Sequence, residues 1–264
     1  MALWFGFYLL IGAIVGLFAG LLGVGGGSIQ VPMMAYAFAH QSFGEQVLHM
    51  ALGTSMATTI FTSIASLRAH HSHGAVDWRV WRGMTPGLVA GGFFGTWLAP
   101  HIPTFPLAVV FCAFVFYAAT SMLINWKPKP SRQLPGTMGL FIVGFLICSF
   151  SSLVAVGGAA ITIPILVFCN VPFHTAVGTA AAVGLPLALS ATVGYVINGL
   201  GQAGLPAYSI GYVYLPALVG IMAASMVVAP IGARIAHKTE PAVLKKVFAV
   251  LMYSLAIKML FDLR

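Results

Sequence analysis

Charged residues are scarce in this chain, and acidic ones most of all. Its 264 residues include 12 Lys+Arg and 4 Asp+Glu, so that 6% are charged and 60% are hydrophobic. A soluble domain carries about 25% charged residues because its surface faces water. Positions 133–233 contain none, and as helix they could cross a ~30 Å hydrocarbon core about five times. The sequence therefore predicts an all-α polytopic membrane protein, since lipid cannot satisfy open strand edges.

Other absences narrow the function. The three cysteines form no Cys-x-x-Cys pair, so neither a disulfide framework nor a metal site is predicted. No acidic residue lies deep in an apolar segment, which disfavours a proton relay or a cation site. The chain has no P-loop, no Gly-x-Ser-x-Gly and no His-Glu-x-x-His motif, so we expect no enzyme and no cofactor. The net charge of +8 arises in short loops, where it indicates topology rather than nucleic-acid binding.

The chain contains an internal repeat. Residues 23–32 (GVGGGSIQVP) match residues 155–164 (AVGGAAITIP) 132 positions later, and the motif from His49 to Thr54 recurs 125 positions later. Further on, Pro86-x-Leu88-Val89 and Ala99-Pro100 match Pro216-x-Leu218-Val219 and Ala229-Pro230, 130 positions later. Because the matches keep their order, we predict two homologous halves in one integrated membrane domain. The predicted parts are membrane repeat 1 (1–125), a Pro-rich cytoplasmic linker (126–136) and membrane repeat 2 (137–264).

Each half contains five apolar segments. They are 2–23, 28–40, 46–67, 80–99 and 105–125 in the first half, and 137–156, 160–171, 175–198, 212–233 and 241–261 in the second. The second segment of each half has only about 12–13 residues, which is typical of a broken or re-entrant helix.

Basic residues predict the orientation of the two repeats. The loop after the third segment of repeat 1 carries three arginines, whereas its counterpart at 199–211 carries no charge. The next pair of loops shows the opposite, because 100–106 is uncharged and its counterpart is basic. Basic loops face the cytoplasm, so the repeats are predicted to be inverted in the membrane, with both termini outside. The residues concerned are Arg68, Arg79 and Arg82 in repeat 1, and Arg234, Lys238, Lys245 and Lys246 in repeat 2.

Glycine stripes in the long segments predict close helix packing. Gly12, Gly16 and Gly20 recur at every fourth position, and so do the glycines from Gly83 to Gly95. Such small-xxx-small patterns let helix backbones approach each other in lipid.

Consecutive glycines interrupt each half directly before its short segment. Glycine exposes backbone N–H groups, and a helix N-terminus carries about half a positive charge, so each break is a candidate anion site. Paired broken helices in inverted repeats are the best sequence indication of a transporter's binding site. A tight turn for close packing is the alternative interpretation. The candidate residues are Gly25, Gly26, Gly27 and Ser28 in repeat 1, and Gly157, Gly158 and Ala159 in repeat 2.

Polar side chains flank these breaks and extend the candidate site. Hydroxyls and amides can donate hydrogen bonds to an anion. Hydroxyls also bond to carbonyls of their own helix, which is the alternative for each one individually. The candidates are Gln30, Thr54, Ser55, Thr162 and Thr179.

Histidines occur at equivalent positions and in one cluster. His49 and His174 begin the two third segments, where we expect them at the membrane interface, with gating as the alternative. The group His70, His71 and His73 is expected in a solvated cytoplasmic loop rather than at a metal.

At these residues the chain resembles a known family. The motif from Gly20 to Pro32 (GLLGVGGGSIQVP), followed by that from His49 to Ser55 (HMALGTS), is similar to the TauE/SafE sulfite-exporter family. The second copy departs from the first at Ala159 and Ala160. The resemblance implies a cytoplasmic-membrane permease for sulfite, sulfoacetate or a related sulfur-containing anion.

The sequence thus predicts a secondary anion transporter that exports its substrate. An interior at −100 mV favours exit of a monovalent anion by about 2.3 kcal/mol, and no coupling site is evident. The alternatives are an uncoupled anion channel and a non-transporting scaffold subunit. The expected partners are the small anion and the lipid bilayer, and the sequence leaves a homo-oligomer open.

Overall fold

Ten α-helices make up most of the residues that the structure describes. The computed structural model describes residues 2–22, 26–41, 43–124, 131–155, 157–236 and 241–262. Within these ranges the first five helices are α1 (Ala2–Leu22), α2 (Gly27–His40), α3 (Val47–Ser72), α4 (Trp78–Leu98) and α5 (Thr104–Ile124). The other five are α6 (Thr137–Val154), α7 (Ala159–Phe168), α8 (Phe173–Gly199), α9 (Leu215–Ala236) and α10 (Pro241–Asp262). Short 3₁₀ helices cover Gly44–Gln46 and Ala99–His101, and β1 (Ser209–Ile210) pairs with β2 (Val213–Tyr214) in an antiparallel hairpin.

The helices confirm the all-α prediction and differ from it locally. Each apolar segment coincides with one helix, and α2 and α7 are short, with 14 and 10 residues. The third segment was predicted to end at 67, but α3 continues to Ser72, so His70 and His71 lie on a helix rather than in a loop. Alanine and serine continue the helix here as readily as apolar residues do. The hairpin β1–β2 was not predicted.

Five of the helices are long and apolar enough to cross a membrane. These spans are Val47–Ser72, Thr104–Ile124, Thr137–Val154, Phe173–Gly199 and Leu215–Gly232. Large apolar side chains such as Leu146, Val227 and Phe261 are exposed on the outer surface of the bundle. A soluble protein seldom exposes so much apolar surface. Lipid, rather than water, is the solvent that suits this surface.

Glycines bring two helix pairs into close backbone contact. A β-carbon at Gly12 would lie 2.5 Å from the carbonyl oxygen of Ile221, and one at Gly16 would lie 2.7 Å from the Cα of Ser225. Helix α1 therefore packs directly on α9. Gly87, Gly91 and Gly95 of α4 meet backbone atoms of α6 in the same way. The predicted packing role is confirmed at these positions.

Helices α1 and α2 form a hairpin around the first break. The side-chain amide of Gln41, directly after α2, donates a hydrogen bond of 2.6 Å to the hydroxyl of Tyr8 in α1. The second half is similar, because the backbone N–H groups of Ser131 and Arg132, shortly before α6, donate to the carbonyl of Phe168 at the end of α7. Both breaks are thus directed into the bundle, where α3 and α8 pack against each other.

Candidate functional site

The two glycine breaks meet inside the bundle. Gly27 is the first residue of α2, and a β-carbon there would collide with the carbonyl oxygen of Ala155. Ala155 ends α6 in the left-handed conformation, with φ of 43°. Only glycine permits this approach at position 27, so the contact explains that residue. The sequence predicted that both breaks belong to one candidate site. Gly27 and Ala155, one from each break, are in contact.

Neither short helix has a side-chain cap at its N-terminus. Gly26 is the N-cap of α2 and Gly158 is the N-cap of α7, and among the described residues no side-chain cap hydrogen bond is made at either helix start. Uncapped N–H groups at a buried helix start need another partner. Gly157, directly before the second N-cap, is half-buried, and Ala159 is the first residue of α7. The chemistry available at both places is that of a hydrogen-bond donor with partial positive charge.

Three predicted hydroxyls at these breaks are buried and have no hydrogen-bond partner. Ser28 is 2% exposed, and Ser55 and Thr162 are 0% exposed. The side-chain oxygens of all three lack a partner among the described residues. Buried polar side chains are nearly always hydrogen-bonded, so such a group of exceptions indicates a ligand or water that completes it.

Two contacts connect these hydroxyls to the breaks. The Ser55 hydroxyl oxygen lies 3.4 Å from the place that a β-carbon of Gly27 would occupy. The Thr162 hydroxyl oxygen lies 3.7 Å from the corresponding place at Gly158. Ser28 belongs to the first turn of α2 itself. Sequence reasoning missed Ser151, which is also fully buried and unpartnered, one turn before Ala155. A small side chain in an apolar helix indicates close packing, so nothing in the sequence assigned Ser151 to the site.

Gln30 is buried and bound to a residue that the sequence did not suggest. Its amide nitrogen and oxygen lie 2.7 Å and 2.9 Å from the Thr58 hydroxyl oxygen. That hydroxyl also lies 2.8 Å from the carbonyl oxygen of Ser55. Ser55 and Thr58 are three residues apart and therefore lie on one side of α3. This spacing is the sequence feature that could have identified Thr58. Gln30 thus connects α2 to α3 beside the first break.

Thr54 and Thr179 have structural partners in the described part of the chain. The Thr54 hydroxyl accepts a hydrogen bond of 3.0 Å from the backbone N–H of Tyr214, directly before α9. The Thr179 hydroxyl accepts one of 2.9 Å from the backbone N–H of Asp77, directly before α4. Each threonine therefore anchors the chain where another helix begins.

The two equivalent histidines lie in different surroundings. His49 is 4% exposed, and its Nε2 lies 3.0 Å from the carbonyl oxygen of Ala99. The 3₁₀ helix Ala99–His101 covers His49, so its side chain is buried in the protein, and its position at the membrane interface stays a prediction. His174 is exposed and close enough to His70 for their charges to interact. The two histidines therefore differ in burial and in partners, although they occupy equivalent positions in the sequence.

Part of the predicted site and part of the predicted linker lie outside the described residues. Gly25 and residues 126–130 of the linker are outside the described ranges. In those ranges no group of three His, Cys, Asp or Glu side chains could hold a metal ion. The cysteines are free, and Cys112 and Cys148 are buried.

Comparisons with known proteins support a transporter. The sequence profile described as "Sulfite exporter TauE/SafE" matches residues 8–259. A "Probable membrane transporter protein" of Haemophilus influenzae is 34% identical over 253 residues, which cover 95% of this chain and 96% of the relative. "Probable membrane transporter protein YdhB" of Bacillus subtilis is 26% identical, over 88% of this chain and 90% of the relative. No solved structure matches the chain.

Family and fold agree on the class of protein. The profile covers nearly every helix described above, and the relatives are named as transporters rather than enzymes. A multi-pass membrane protein with apolar spans and a small-anion substrate class follows from both. The chain belongs to the TauE/SafE sulfite exporter family of membrane transporters.

Proposed function

We propose that this protein exports sulfite, or a related organosulfur oxyanion such as sulfoacetate, across the bacterial cytoplasmic membrane. The observation that carries the proposal is the group of buried hydroxyls without partners, Ser28, Ser55 and Thr162, at two helix starts that meet. An oxyanion would accept hydrogen bonds from these hydroxyls and from the uncapped N–H groups of α2 and α7.

The electrostatics of the site favour an anion. Each helix N-terminus contributes about half a positive charge, and this effect is strong where water is excluded. Residues 26–30, 54–58 and 155–162 contain no Asp or Glu that would repel an anion. They also contain no Lys or Arg, so the anion would be held by dipoles and hydrogen bonds alone. Such binding without a full counter-charge is weak enough to permit release on the other side.

Reciprocal contacts support an inverted repeat. Thr54 of repeat 1 binds the residue before α9 of repeat 2, and Thr179 of repeat 2 binds the residue before α4 of repeat 1. Helix α1 packs on α9 as α6 packs on α4. In this proposal residues 1–125 and 137–264 insert in opposite orientations around linker 126–136, with both termini outside. Thr54 and Thr179 then act as anchors beside the site.

The membrane potential supplies the direction. An interior at −100 mV favours exit of a monovalent anion by about 2.3 kcal/mol, which is roughly fortyfold in concentration. Export therefore proceeds without a coupled cation. Uptake against this potential would need a coupling site.

The test is sulfite flux in proteoliposomes containing the full chain, followed with an enclosed sulfite sensor, with sulfoacetate and acetate as competitors. Wild type should transport sulfite with saturable kinetics, and sulfoacetate should compete better than acetate. The combined variant Ser28→Ala, Ser55→Ala and Thr162→Val should lose transport while remaining folded.

Ser254→Ala is the matched control, because the exposed Ser254 hydroxyl binds the carbonyl of Leu251 in its own helix. It should transport like wild type. Equal sulfite flux in the combined variant and in Ser254→Ala would refute the hydroxyl site. Absence of sulfite flux in wild type would refute the substrate.

A further inference from the structure

A surface cavity of about 630 Å³ opens between the N-termini of α4 and α6. Its lining includes Arg79, Arg82, Gln133, Gly136 and Thr137. It is separate from the buried glycine breaks. No step of the proposed transport mechanism uses it.

The cavity holds two cations that have no partner. Arg79 and Arg82 are exposed, and neither guanidinium makes an ion pair or hydrogen bond within the described ranges. The neighbouring acid, Asp77, is already engaged, because its carboxylate accepts from the backbone N–H groups of Arg79 (2.9 Å) and Val80 (3.1 Å). Asp77 thus caps α4. Helix α6 begins at the other wall, and its N-cap Gly136 supplies no side chain to bond its first N–H groups. The two guanidinium groups and the start of α6 thus line the same cavity.

A second cavity shows that the arginines are not needed to build this one. A cavity of about 570 Å³ lies between α1 and α9, where Gly220 packs against Tyr8 as Gly83 packs against Leu140. Its lining is aromatic and apolar, including Trp4, and contains no cation. The corresponding helix pair thus forms a cavity without arginines, so the shape of the cavity does not depend on them.

The surroundings place this cavity at a membrane surface. Trp78 and Trp81 lie on the same turns of α4, with ring centroids 5.4 Å apart. Tryptophan is enriched at the depth of lipid headgroups. Beside the cavity, Leu134 and Met138 are 39% and 72% exposed, although both are apolar. A ligand that satisfies these groups together carries an oxyanion and hydrocarbon chains.

We propose that this cavity binds the phosphate group of an anionic phospholipid, with Arg79 and Arg82 on one side and the uncapped start of α6 on the other. Arginine and helix N-termini are the groups that bind phosphate oxygens in proteins. The exposed apolar rim accommodates the beginning of the acyl chains. This site does not depend on the identity of the transported anion.

Native mass spectrometry of the purified full chain tests the proposal, with dioleoyl phosphatidylglycerol as the probe and the phosphatidylcholine analogue as its zwitterionic comparison. Wild type should prefer phosphatidylglycerol. The variant Arg79→Gln with Arg82→Gln should lose about tenfold in phosphatidylglycerol affinity, the effect of one charge-assisted hydrogen bond. Arg68→Gln is the matched control, since Arg68 is on the same predicted side but outside the cavity. It should bind like wild type.

A substitution at the start of α6 distinguishes a loss of lipid binding from a folding defect. Gly136→Asp adds a carboxylate cap to α6, and nothing within 4 Å obstructs a β-carbon there. An aspartate N-cap stabilises a helix, so this variant should melt at or above the wild-type temperature and yet lose phosphatidylglycerol. Gly136→Asn caps without charge and should lose less. Unchanged lipid preference in Gly136→Asp and in the double arginine variant would overturn the proposal. Displacement of phosphatidylglycerol by excess inorganic phosphate would also overturn it, by assigning the cavity to free phosphate.

Discussion

Gly27, the first residue of α2, lies directly against the carbonyl of Ala155, the left-handed residue that ends α6. One residue belongs to the predicted first repeat and the other to the second, so the glycine breaks of both halves form one structure. This backbone contact holds the start of α2 against the end of α6. Any substrate bound there would contact both halves, which is the arrangement that alternating access requires.

Gly27→Ala should destabilise the protein and stop transport. Its methyl group would overlap the Ala155 carbonyl, a backbone atom that cannot move without shifting α6. Overpacking of this kind costs about 1–3 kcal/mol. The measurement is the unfolding temperature in detergent together with sulfite flux. Gly6→Ala is the control, since no atom lies within 4 Å of a β-carbon there, and it should leave both quantities intact. A Gly27→Ala protein as stable and active as Gly6→Ala would contradict the close contact.

Thr54→Val should lower stability through the loss of an acceptor. The buried backbone N–H of Tyr214 would remain without a partner, which costs about 1–3 kcal/mol. Thr54→Ser keeps the hydroxyl and should recover most of the unfolding temperature. Thr179→Val and Thr179→Ser should behave as a parallel pair, because Asp77 depends on Thr179 in the same way. Weaker sulfite binding by Thr54→Val at unchanged stability would instead make the hydroxyl a ligand.

Much of the fold could be predicted because lipid leaves few alternatives. A long apolar segment must be helical in a membrane, so the number of helices and most of their approximate limits follow from hydropathy. The glycine spacing predicted the packing of α1 and α4, since small residues at every fourth position have few other uses. The consecutive glycines before position 28 marked the start of the short helix in the same way.

Helix register and side-chain partners were harder to predict. The sequence match of Pro86 with Pro216 relates the fourth segments by 130 positions. The contacts favour an offset of 137 positions. Gly95 packs at Ser149, and Gly232 packs at Leu17. Because Leu17 and Ser149 are 132 positions apart, the same offset as between the two glycine breaks, Gly95 and Gly232 are the equivalent residues of the fourth segments. Glycine-rich apolar helices match one another at several registers, and only packing distinguishes them. For the same reason the partners of Thr54 and Thr179, which are distant in sequence, could not be foreseen.

The proposed inverted topology predicts opposite accessibility for two corresponding loops. His73 follows α3 and Gln202 follows α8, and both residues are exposed. In a Cys169→Ser background the remaining native cysteines are buried, so single cysteines at these positions can be labelled selectively. A membrane-impermeant maleimide should label Gln202→Cys in intact cells, and His73→Cys only after lysis. Labelling of both cysteines from outside would contradict the inverted orientation, although the fold would stand.

The last prediction uses the difference between the two helix starts. Ser28 has an unpartnered buried hydroxyl in the first turn of α2, whereas Ala160 occupies the sequence-equivalent position in α7. If Ser28 donates to the anion, Ser28→Ala should weaken sulfite binding by about 1.5–3 kcal/mol, the range for a hydrogen bond to a charged group. That corresponds to an apparent affinity roughly ten- to a hundredfold weaker.

Ala160→Ser supplies the reciprocal change. Position 160 is half-buried, so a hydroxyl there should be tolerated, and in the Ser28→Ala background it should restore part of the lost affinity by donating from the opposite helix. Sulfite affinity is measured from the concentration dependence of flux, with expression and unfolding temperature as controls on each variant. Ser28→Ala with wild-type affinity would remove this hydroxyl from the site and leave the backbone N–H groups of the two helices as the ligands.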